Sequence, residues 1–143
     1  METCRVADLA SVFVSPSWNT QIGKVIQSIG TPFFHEELIG LLELTVATDA
    51  FWIIRYTKDA DPDVVFTRGV SAHARRVYSR KCAAIDPFSA EWQRVGKPGI
   101  FTLRNLRSEN TTWTTYSDIF LRAAEMDDEL GVLLPVTTQT CFA

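Results

Sequence analysis

The sequence predicts an α+β domain: a central antiparallel sheet with helices packed on both faces. Three observations predict it. The first third of the chain carries two helix-start signals followed by apolar residues three to four apart. At Phe51 the pattern changes to short runs of β-forming residues. From there helical and strand-like stretches follow in an order that reads ααββααβαββ overall.

Each element has its own signal. Val6, Leu9, Val12 and Phe13 offer a short apolar face at the start. Ser15-Pro16 is a helix start, with a capping hydroxyl and proline at the first helical position. Trp18, Ile22, Val25, Ile26 and Ile29 then recur at helical spacing, so a helix is expected over Pro16–Ile29. Thr31-Pro32 repeats the start, and Phe34, Leu38, Leu41, Leu42 and Thr45 give a stripe that predicts a helix over Pro32–Val46. Phe51 to Thr57 and Val64 to Arg68 read as the strands of a hairpin, with 58–63 as its polar turn. Gly69 to Cys82 reads as helical, with Val77 and Tyr78 inward and Arg75, Arg76, Arg80 and Lys81 outward. Asp86-Pro87 starts a helix that runs through Trp92 to Gly96. Ile100 to Leu106 reads as a half-buried strand. Thr111 or Thr112 caps a helix with Trp113, Tyr116, Phe120 and Ala124 on one face. Gly131 to Thr137 and the residues from Thr138 read as the last two strands.

At 143 residues the chain is expected to be one domain, 1–143, long enough to bury a real core. Four tryptophans and 11% aromatic residues favour a packed core or an apolar pocket over disorder. A net charge of −3 argues against DNA binding by this chain. Cys4, Cys82 and Cys141 form no CxxC pair and no disulfide framework, which fits a reducing cytoplasm. Glu43 and Asp49 break the longest apolar run, so no membrane span is read.

No catalytic signature stands out. His35 and His73 are far apart, and no phosphate loop, nucleophile elbow or metal-ligand spacing is present. Neither an enzyme nor a cofactor is expected. Asp127-Asp128-Glu129 reads as a solvated helix end, with paired carboxylates as the other reading. The stripe Arg75, Arg76, Arg80 and Lys81 reads as an exposed helical face, with an anion site as the other reading. Asp86 has two roles open to it, a helix N-cap and an acceptor for a bound ligand. Trp52, Tyr56, Tyr78, Trp92, Trp113 and Tyr116 are core residues on one reading, and a cavity lining on the other.

Tyr78, Asp86-Pro87-Phe88, Leu103-Arg104-Asn105-Leu106 and Asp128-Glu129-Leu130-Gly131, in this order, resemble the landmarks of the N-terminal sensing domain of LuxR-type transcription regulators, a branch of the GAF/PAS-like sensor folds. The resemblance covers roughly Phe51 to Pro135. It implies a small-molecule pocket, a dimer and a role in transcription regulation; the two amphipathic helices Pro16–Ile29 and Pro32–Val46, which precede a sheet that needs only part of their apolar surface, are expected to contribute to a homodimer. It implies that Asp86 contacts the ligand, with Tyr78 and Trp113 near aromatic pocket positions; Trp52, Tyr56, Trp92 and Tyr116 are the further aromatics expected to line a ligand site on the cavity reading. One departure is that no tryptophan or second tyrosine stands between Gly69 and Val77. The pattern is nearer to LuxR-type regulators whose ligand is unknown than to homoserine-lactone receptors. A second departure is that no helix-turn-helix segment is read before Ala143. The expected role is therefore a ligand-sensing, dimerising domain, either excised or a short protein of its own. The alternative is an interaction module with a filled core that modulates a full-length LuxR-type regulator as a heterodimer.

Overall fold

The computed structural model describes residues 8–107 and 112–143. Cys4, Val6 and Thr111, singled out from the sequence, lie outside these residues. The chain forms two compact units, one ending at Phe51 and the other running from Trp52 to Ala143.

The first unit is helical. Helix α1 spans Leu9–Phe13, α2 Pro16–Ser28 and α3 Phe34–Leu42. Ser15 caps α2 as expected, its hydroxyl accepting from Trp18 N at 3.2 Å. The second start differs. Thr31 Oγ1 accepts from Phe33 N in a local turn, and α3 begins only at Phe34. It also ends at Leu42, four residues before the expected Val46, and the chain continues in turns through Thr45. The amide of Gln21 ties α2 to α3 by donating to Glu37 O at 2.9 Å and to its carboxylate at 2.8 Å.

The second unit is built on an antiparallel sheet of order β2-β1-β5-β4-β3. Its strands are β1 Phe51–Thr57, β2 Ala60–Arg68, β3 Gly99–Thr102, β4 Leu130–Pro135 and β5 Thr140–Phe142. The last strand in sequence lies in the centre, paired through Tyr56↔Cys141 on one side and Pro135↔Cys141 on the other. Strand β2 starts four residues earlier than its apolar run suggests and contains Pro62. Proline is tolerated there because β2 is an edge strand, where a missing N–H costs little.

The helices of this unit are α4 Ala72–Val77, α5 Pro87–Val95, α6 Trp113–Tyr116 and the single turn α7 Arg122–Ala124. Helix α4 continues into a π-helical turn at Tyr78–Cys82, and α6 into another at Ser117–Leu121. The Leu103–Leu106 segment corrects its strand reading. It is a 3₁₀ turn, capped by Thr102 Oγ1 accepting from Asn105 N at 3.2 Å. Leu103 and Leu106 are buried three residues apart, a spacing that suits a three-residue turn and not a strand.

Strand β4 alternates cleanly. Gly131 and Leu133 are buried, while Leu130, Val132 and Leu134 are exposed. The buried side joins Ile54, Tyr56 and Cys141 with Tyr78, Phe88, Trp92, Tyr116 and Phe120 in one core. Gly131 is required there. A Cβ at this position would stand 2.4 Å from the Phe88 ring, which packs directly on the strand.

Candidate functional site

The site is assembled around Asp86. As the residue before a proline it is held extended, at φ −63° and ψ 118°. That geometry swings its carboxyl over the first turn of α5, where Oδ1 accepts from Phe88 N at 2.8 Å and Ser89 N at 3.4 Å. The cap therefore forms as the sequence indicates. The other oxygen does something a cap does not require. Oδ2 accepts from the Tyr78 hydroxyl at 2.5 Å and from the Tyr56 hydroxyl at 2.9 Å. Asp86 is 2% exposed, so one buried carboxyl holds four donors from three parts of the fold. Burial raises its pKa, and the hydrogen bonds from Tyr78, Tyr56 and the two amides oppose that rise. The tyrosines are held neutral, and so donating, by burial first and by the Asp86 charge second.

A second carboxyl lies in the same cluster, and the sequence reading missed it. Glu129 is not part of a solvated helix end. Its Oε1 accepts from Trp52 Nε1 at 3.2 Å and its Oε2 from the Tyr116 hydroxyl at 3.0 Å. Burial, and then the charge of Asp86, push its pKa up to about 8. Its neighbour Asp128 stays at the surface, caps Glu129 N at 2.9 Å and faces Arg104 at 3.5 Å. The signal was present. Extending the β4 alternation back by one step from Gly131 places residue 129 on the inward side.

Aromatic rings join the two carboxyls. Trp52 lies edge-on to Tyr78 with centroids 4.7 Å apart and is stacked on Phe120 at 4.8 Å, 9° from parallel. Phe120 also contacts Tyr78 and Tyr116. Both π-helical turns feed this cluster, one starting at Tyr78 and the other carrying Phe120. Tryptophan and a second tyrosine, missing between Gly69 and Val77, thus reach Asp86 and its partner Tyr78 from β1, as Trp52 and Tyr56.

Of the seven expected site residues, Asp86, Tyr56, Tyr78, Trp52 and Tyr116 converge. Trp92 is 2% exposed and backs Tyr56 at 6.5 Å. Trp113 lies to one side. Its Nε1 donates to Leu103 O at 2.5 Å, and the Arg107 guanidinium stands 5.3 Å from its ring. Arg75, Arg76, Arg80 and Lys81 are all exposed. Cys82 and Cys141 are buried thiols whose pKa is pushed up to about 11 by that burial, which makes them poor nucleophiles. No metal-ligating group of three is found among the described residues.

Open space beside the cluster is small. A cavity of about 30 Å³ is lined by Trp52, Ile54, Tyr56, Phe88, Glu129, Leu130, Gly131 and Ala143. That is room for about one water molecule, against about 300–1,000 Å³ in a small-molecule pocket.

No protein-family model matches this sequence, and no curated protein matches it. Solved structures do. The VqsR LBD domain from Pseudomonas aeruginosa, part of a LuxR-type regulator, superimposes with a TM-score of 0.75 at 19% identity, over 90% of this chain and 77% of that one. The chain thus has the α+β fold of a LuxR-type ligand-binding domain, as its sequence landmarks indicate.

Proposed function

We propose that this chain is a regulatory domain of the LuxR sensor type that works with a filled core, by association with a second protein chain. The cavity of about 30 Å³ carries this reading. Around the Asp86 and Glu129 carboxyls, Trp52, Phe120, Tyr78 and Tyr116 pack ring against ring. The partner is a second copy through α2 and α3, or a full-length LuxR-type regulator, in keeping with the apolar residues Ile26, Ile29 and Phe33 that the first unit exposes. The setting is cytoplasmic, in keeping with two buried free thiols and with the absence of any membrane-crossing helix among the described residues. Native mass spectrometry of the purified chain tests the reading. The bare chain mass is expected, at twice the monomer value if the homodimer forms. A retained small molecule would overturn the filled core.

One observation favours a second reading, in which the domain senses a small molecule. Asp86 gathers four donors at the centre of the cluster, and the solved relative is a ligand-binding domain. A ligand would have to displace the Phe120 ring and take over one of the tyrosine bonds. A compound that raises the melting temperature of the wild type and not of Asp86→Asn would establish this reading. Asparagine still caps the helix but loses the charge-assisted bond.

A further inference from the structure

Charge is unevenly spread along this chain. Residues 64–85 hold five of its 14 lysines and arginines and none of its 17 acids, which leaves nine cations against 17 acids elsewhere. Four of the five stand on α4 and the π-helical turn that continues it. Ala74, Tyr78 and Cys82, four apart, are fully buried on the side that faces the core. Arg75, Arg76, Arg80 and Lys81 are exposed on the other side. Arg76 and Arg80 are one helical turn apart, so their side chains leave the helix as neighbours. No side-chain hydrogen bond or ion pair holds any of the four among the described residues. Like charges at this spacing repel and destabilise a helix. Only Arg80 and Lys81 lie in the last turn, where the helix dipole favours a cation. The flank of the patch is mixed in sign. Helix α4 packs against the segment 117–124, which exposes Asp118 and Arg122 and is followed by exposed Glu125. The cationic face is therefore one helical stretch of 6 and 5 residues, about 16 Å long.

We infer that this face docks an acidic segment of a protein partner, whose carboxylates pair with Arg75, Arg76, Arg80 and Lys81. The inference rests on the reading of a domain that works by association with a second protein chain. It names the chemistry of that partner and puts the contact on the second unit. Arginine suits the task, because its planar fork matches a carboxylate with two parallel hydrogen bonds. A nucleic acid fits less well. Its phosphates continue beyond a patch of about 16 Å, over a chain whose remaining charge is strongly negative, and repulsion there opposes the attraction at the stripe. A protein with a local acidic patch meets only the arginines and Lys81.

The test is fluorescence anisotropy of a labelled oligoglutamate peptide of about 12 residues, at about 50 mM and about 300 mM salt. The wild type should bind it at low salt and release it at high salt. Arg76→Gln combined with Arg80→Gln should weaken binding about five- to tenfold. Lys58→Gln combined with Lys97→Gln removes the same charge from two other exposed positions and should change it less than about twofold. Equal losses in the two double variants would overturn the site, since the peptide would then respond to net charge alone. So would a wild type that does not bind the peptide, or tighter binding of single-stranded DNA or of phosphatidylserine vesicles through the same arginines. If the arginine double variant does not fold, amide shifts induced by the peptide in the wild type decide. Shifts confined to residues 72–82 support the site, and shifts spread over the surface overturn it. A failure here leaves the dimer through α2 and α3 untouched, whereas a small molecule retained in the native mass spectrum strikes the filled-core reading and not the stripe.

Discussion

Two helices in this chain start in the same way and carry different loads. Ser15-Pro16 opens α2 and Asp86-Pro87 opens α5, each with a side-chain cap and a proline at the first turn. The Ser15 hydroxyl caps one amide, at Trp18 N, at a partly buried position. Asp86 is sealed inside the second unit and holds two amides and two tyrosines. The units around them differ in the same sense. In the first, Ser28 and Ile39 are the only buried residues among those described, and Phe13, Val14, Ile29 and Phe33 stand exposed. In the second, a continuous aromatic core closes over the sheet. A local signal thus tells where a helix begins, while the tertiary surroundings determine what breaking that start costs.

Paired substitutions sharpen or break this contrast. Phe120→Ala removes a fully buried ring from between Trp52, Tyr78 and Tyr116, and should cost about 3–5 kcal/mol in urea unfolding. Asp86→Ala should cost about 3 kcal/mol, since it removes the cap and leaves two buried phenols without an acceptor. Were the loss only about 1 kcal/mol, as for a simple cap, the tyrosine bonds would have no energetic weight. Gly131→Ala drives a methyl group into the Phe88 ring and should cost about 1–3 kcal/mol, read as a lower denaturation midpoint at unchanged slope.

The same chemistry in the first unit should do less. Ser15→Ala is expected to cost about 1 kcal/mol. Phe33→Ala, at a residue 67% exposed, should change stability by no more than about 0.5 kcal/mol. It should nevertheless weaken self-association, seen as a shift toward monomer in sedimentation, if α2 and α3 form the dimer contact. A Phe33→Ala loss comparable to that of Phe120→Ala would erase the distinction between the two units.

The sequence by itself determined what short-range chemistry controls. The Ser15 and Asp86 caps, the β-forming run from Phe51 and the helical spacing of Tyr116 and Phe120 are all visible locally, because capping and side-chain period act within a turn or two. Tertiary structure decided the rest. Whether Leu103–Leu106 extends or turns depended on both leucines finding the core. Trp52 and Tyr56 reached the Asp86 cluster because β1 lies next to β5, a pairing that joins residues more than eighty positions apart. Glu129 looked solvent-bound beside two aspartates, yet the pleat of β4 turned it inward toward donors 13 and 77 residues away. Burial and the charge of Asp86 then set its proton affinity, and both are properties of the folded neighbourhood that an isolated sequence window does not contain.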